Sequence, residues 1–238
     1  MKYLCLESKR RHMRNPFATK ARNLHRLIVP KDDSLLKHMV NPDTLQGKDI
    51  IDLGIIQGVF DKISAREGHA FRYYMVKGFR CEDCGDNSFL YVSDHAVPDD
   101  HTKFSFIEDT WRNIIVEPSA MGIWQTYLLM TTIHVMPFYW HGGYNERLFI
   151  FSPAELKKIP SYKKFDFSNI DESKLQPEVK FTQWTDRECM GMVSNTYWTE
   201  WGGLIRETVF IDMKDNKITN YGPVFNEVLF KYESLMCY

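Results

Sequence analysis

The chain has 238 residues, 44% hydrophobic and 26% charged, enough apolar material to bury a core in one large domain. A formal net charge of −1 excludes a general electrostatic pull toward nucleic acid or a membrane. Five cysteines in a chain this long do not make a disulfide framework, and no apolar leader precedes Cys5, so reduced thiols and a cytoplasmic setting are expected.

Charge is unevenly placed. Residues 1–30 carry eight Lys or Arg against Glu7 alone, a net +7 that leaves −8 for the remainder. They read as a basic N-terminal arm ahead of a single domain, 31–238. Residues 1–26 are the only hint of a nucleic-acid partner, since Lys and Arg gain affinity by displacing phosphate counterions. No aromatic interleaving or recognition module accompanies them, so nucleic acid is not the expected partner.

Leu24, Leu27 and Ile28 predict a helix over 18–29 closed by Pro30, and Asp32-Asp33-Ser34 caps a short helix to Val40. Ile50, Ile51, Ile55, Val59 and Ile63 recur at helical spacing and predict a helix ending near Gly68. The period then changes. Residues 71–79, 88–92 and 103–107 read as strands, and Ile114-Ile115-Val116 as a short one.

Pro118-Ser119 stops that strand and offers a helix N-cap. From Met121 to Val135 the chain is apolar nearly all round, which belongs in a core or a bilayer; Pro137 cuts it short of a membrane span. Gly142-Gly143 turns into an interior strand, Leu148 to Phe151, and Ser152-Pro153 opens a short helix over 154–159. Residues 161–180 are the most polar long connection, a surface loop or a sub-boundary.

Thr185-Asp186-Arg187-Glu188 fits a helix capping box, whereas Thr196-Tyr197-Trp198-Thr199 favours strand, and both readings stand. Ile205 to Met213 and Ile218 to Tyr221 form a hairpin through Lys214-Asp215-Asn216-Lys217. Pro223 predicts a final helix with Val224, Phe225, Val228, Leu229, Tyr232, Leu235 and Met236 on one face. Helices and strands without regular alternation make an α+β protein, mainly antiparallel sheet against a buried central helix at about 120–136.

Three patterns carry chemistry. Cys81 and Cys84 with His95 and His101 have the ligand types, though a short first gap, of a zinc-stabilised module; otherwise no cofactor is expected. All six tryptophans fall within 111–201, and an aromatic-lined ligand site is expected around 138–147 and 197–201. Its walls are Tyr139, Trp140, Tyr144, Arg147, Tyr197, Trp198 and Trp201. His141 is the candidate acid or base, with Glu117 or Glu200 as its carboxylate partner. Asp109, Glu117, Glu200 and Glu207 are acidic groups able to pair with a histidine or with Arg147 or Arg206, and no linear spacing joins any two of them.

The motifs of phosphate loops, dinucleotide folds, zinc peptidases and α/β-hydrolases do not occur. What remains is a binding or interaction domain for a small molecule or a protein. The alternatives are an unfamiliar hydrolase or lyase using His141, and the zinc module.

Overall fold

The computed structural model describes residues 15–28, 51–52, 60–76, 87–93, 113–135, 147–160, 162–200 and 202–232. Helix α1 (Pro16–Ile28) is capped by Asn15, whose side-chain oxygen accepts from the Phe17 amide at 3.0 Å. Strands β1 (Ile51–Asp52), β2 (Ile63–Ala65), β3 (Ala70–Val76), β4 (Asn87–Ser93) and β5 (Ile114–Val116) build small antiparallel pairings. β3 lies between β1 and β4, and β2 pairs with β5. Helix α2 (Ala120–Val135) follows, then β6 (Leu148–Phe149), helix α3 (Pro153–Leu156) and 3-10 turns at Tyr162–Lys164 and Glu172–Leu175.

The main sheet is an antiparallel meander of β7 (Glu178–Gln183), β8 (Glu188–Thr199), β9 (Gly203–Lys214) and β10 (Lys217–Lys231). The long β8 has β9 on one side. Its other side is shared: β7 pairs with residues 189–194, and β6 pairs with Tyr197 and Trp198. The β9–β10 hairpin turns on Asp215 and Asn216, at φ 52° and 62°, the left-handed pair that matches strand twist. The turn also holds β5 in place, since the Val116 amide donates to Asn216 O at 2.8 Å.

The architecture is thus α+β, with a sheet against a buried central helix, and two local expectations are corrected. Ile51 and Ile63 lie in strands, not in a helix running to Gly68. β-branched residues suit strands, and Gly54 and Gly58 weaken a helix between them. The stretch after Pro223 is strand β10, not a helix. Proline is tolerated on an edge strand, and the pairing with β9 shifts register between Tyr221 and Val224. Thr185 Oγ1 accepts from the Arg187 and Glu188 amides, but it closes a turn into β8 instead of capping a helix. The expected helix at 32–40 and strand at 103–107 lie outside the described residues.

Alternation gives the main sheet two working faces. On one, Val193, Val209, Ile211 and Met213 form a core with Ile123, Trp124, Tyr127 and Leu128 of α2. α2 starts where Ser119 Oγ accepts from the Gly122 amide at 3.1 Å. Its polar interruptions are internally satisfied: Thr126 and Thr131 donate to carbonyls one turn back. Gln125 donates to Asp61 at 2.6 Å and accepts from the Lys62 amide at 2.8 Å. A Cβ on Gly191 would lie 2.3 Å from Ile123, so this glycine sets the approach of helix to sheet. Gly191→Ala is expected to cost about 1–3 kcal/mol by overpacking, read from chemical denaturation; a neutral result would contradict that packing.

The opposite face is covered by the 150–176 segment. Trp198 is buried there among Phe165, Phe167, Phe230 and Tyr232, with ring centroids at 5.2–6.4 Å. Polar bonds clamp the cover: Thr196 Oγ1 donates to Lys174 O at 2.7 Å, and Arg206 donates to the carbonyls of Lys174 and Gln176. Cys189 is a free, buried thiol whose pKa is pushed up by burial.

The second half of the basic segment is a docked helix. Ala18 and Ala21 are buried, and Arg22 Nε lies 3.0 Å from Glu155 Oε1 at α3. Burial alone would raise the Glu155 carboxyl. Bonds from Arg22, the Phe151 amide and Lys158 outweigh it and hold the group below its ordinary value of 4.5. A depressed carboxyl contributes stability that is present above its unfolded pKa and lost as pH falls through the folded one. The stability difference between wild type and Glu155→Gln is therefore expected to shrink as pH drops below about 4.5. Unfolding titrations that show a constant gap would contradict this.

Candidate functional site

On the α2 side of the sheet, β8 and β9 turn from apolar to polar near their shared end. Asn195 and Glu207 are directly paired across the two strands, and Tyr197 lies two residues further along the same face as Asn195. Arg147, just before β6, reaches over them. Its Nη1 lies 2.8 Å from Glu207 Oε1, and its guanidinium carbon stands 4.5 Å above the Tyr197 ring. From α2, Tyr127 donates its hydroxyl to the same Glu207 oxygen at 3.1 Å, and Asn195 Nδ2 donates to the Tyr127 hydroxyl at 3.4 Å.

The cluster is asymmetric in exposure. The Glu207 side chain is 5% exposed and Arg147 26%, so the carboxylate forms the floor and the guanidinium the outward layer. Burial pushes the Tyr127 hydroxyl well above the ordinary phenol range, reinforced by Glu207; Tyr197 and Tyr221 are also raised, chiefly by burial. All three phenols stay protonated near neutral pH, and Tyr127 serves as a donor to Glu207. Arg147 is opposed by burial, but Glu207 and the neighbouring phenols outweigh that and stabilise its charge.

One atom is left over. Asn195 is fully buried, and its Oδ1 has no hydrogen-bond partner among the described residues. Leaving a buried acceptor unpaired costs about 1–3 kcal/mol. Native structures retain few such atoms, and each calls for an explanation.

The expected site residues are placed as follows. Arg147 and Tyr197 come together. Trp198, next in the chain, faces the other side of the sheet and is 2% exposed, so it cannot line the same site as Tyr197; strand alternation forbids it. Glu200 accepts from Trp198 Nε1 at 3.0 Å, while Glu117 pairs with Lys62 at 2.6 Å beside β5. These two carboxylates therefore belong to different surroundings. Tyr139, Trp140, His141, Tyr144 and Trp201 lie outside the described residues, as do Cys81, Cys84, His95 and His101. Among the described residues no group of three or more His, Cys, Asp or Glu is placed to hold a metal ion, and no helix is long and apolar enough to cross a membrane.

Asn195 and Tyr127 are the cluster members that linear spacing does not nominate. The available signal was alternation: a polar Asn195 in phase with buried Val193, and Glu207 in phase with Val209 and Ile211. No protein-family model, curated protein or solved structure matched the chain.

Proposed function

We propose that the chain is a binding domain that takes a small, flat, polar molecule at the Arg147–Tyr197 cluster. The single observation that carries this reading is the unpartnered, fully buried Asn195 Oδ1 beside a guanidinium whose remaining N–H groups no described residue uses. Asn195 and Tyr197 are about 7 Å apart along one strand face, a span matched by a planar amide or imide. Its N–H would donate to Asn195 Oδ1, its carbonyl would accept from Arg147, and its ring would lie against the guanidinium plane.

The test is a thermal-shift panel of nicotinamide, benzamide and uracil against wild type and Arg147→Met. A ligand that binds only the native state raises Tm. At least one planar amide is expected to do so in wild type and not in Arg147→Met. A panel without any shift, or shifts equal in the two proteins, would count against the reading.

A further inference from the structure

A concavity lined in part by Phe149 lies between α1 and α3, with a volume of about 230 Å³. Its floor is apolar, made by Ala21, Leu148, Phe149 and Phe151. Its rim is charged, made by Arg22, Lys158 and Glu155. We propose that this hollow binds a small monocarboxylate with a short aromatic or branched aliphatic body.

The rim chemistry supports an anion. Arg22 at 3.0 Å and Lys158 at 3.1 Å converge on the same oxygen, Glu155 Oε1, while Oε2 accepts from the Phe151 amide at 2.9 Å. The carboxylate is thus fully engaged, and two cations share one negative charge. The remaining N–H groups of both cations have no partner among the described residues. An ion pair needed only to fix α1 on α3 would be complete with Arg22 alone. Among the described rim residues the surplus of one positive charge matches a monoanion, and the buried Glu155 opposes a dianion such as a phosphate monoester.

Size and floor restrict the rest of the molecule. At about 30 Å³ per water, the hollow has room for roughly eight waters, enough to seat a single ring. Arg22 stands 5.3 Å above the Phe151 ring, which orients the guanidinium over the apolar floor. A ligand carboxylate would take a charge-assisted bond from that edge while its body covers the phenylalanines.

Isothermal titration with benzoate tests this, with benzyl alcohol as the uncharged analogue. Lys158 is 57% exposed, so Lys158→Glu reverses the rim charge without disturbing the core. Benzoate is expected to bind wild type with a millimolar or tighter Kd. Benzyl alcohol and the Lys158→Glu variant are each expected to show a loss of about tenfold or more. Arg147→Met is expected to bind benzoate as wild type does, which separates this hollow from the amide site. No saturable heat at millimolar benzoate, equal binding by Lys158→Glu, or a loss confined to Arg147→Met would each overturn the proposal.

Discussion

Replacing Trp124 with alanine is expected to lower stability by about 3–5 kcal/mol, the largest effect of any single change in the helical layer. The indole is fully buried, stacks on Tyr127 at 5.4 Å and meets the edge of Phe17 at 5.7 Å. Its Nε1 donates to Phe17 O at 2.9 Å, so one side chain joins α1 to α2. Alanine would leave a large cavity and remove the donor to a part-buried carbonyl. Trp124→Phe keeps much of the stacking and loses the bond, for a cost of about 1–2 kcal/mol. Urea denaturation separates the cases; a Trp124→Ala loss below about 1 kcal/mol would contradict the docking of α1.

Glu207→Leu is expected to cost about 3 kcal/mol, because it strands Arg147 and Tyr127 over a floor that excludes water. The partial exposure of Arg147 keeps the figure at the lower end for a broken buried pair. Glu207→Gln should cost less, since its amide oxygen can still accept from both partners. The double variant Arg147→Met/Glu207→Leu is expected to recover much of the loss, as apolar replacements of buried ion pairs do. A double-mutant cycle decides this. Additive losses would mean that the two side chains do not act as a pair.

Local chemistry was legible wherever one short segment carried both its pattern and its punctuation. Pro118-Ser119 ahead of an apolar run reads as a helix start, and α2 begins at Ala120. Lys214-Asp215-Asn216-Lys217 reads as a two-residue hairpin loop because Asp and Asn tolerate positive φ, and both adopt it. The segment after Pro223 misleads because Val224 and Val228 satisfy both periods, four apart for a helix and in phase for a strand. Only the 12-residue β9 partner arbitrates between them. Ile51 and Ile63 mislead likewise, their pairing partners lying in β3 and β5.

The site was legible in half. Arg147 and the acidic group opposite it were open to pairing from composition, but Glu207 became the partner through strand register 60 residues away. Tyr197 and Trp198 looked equivalent as adjacent aromatics, yet the pleat sends one to the Arg147 cluster and the other to the opposite core. Alternation marks Asn195 as a polar residue in phase with buried Val193, but its unpaired oxygen is a property of packing alone.

Calorimetric titration of nicotinamide into wild type and Asn195→Leu asks most directly whether a ligand completes that oxygen. Leucine removes the unpaired acceptor and keeps the same branched heavy-atom skeleton, so the variant should fold, and its affinity should fall by about tenfold or more, equivalent to about 1.4 kcal/mol. Equal affinity for the two proteins, with both folded, would contradict the account.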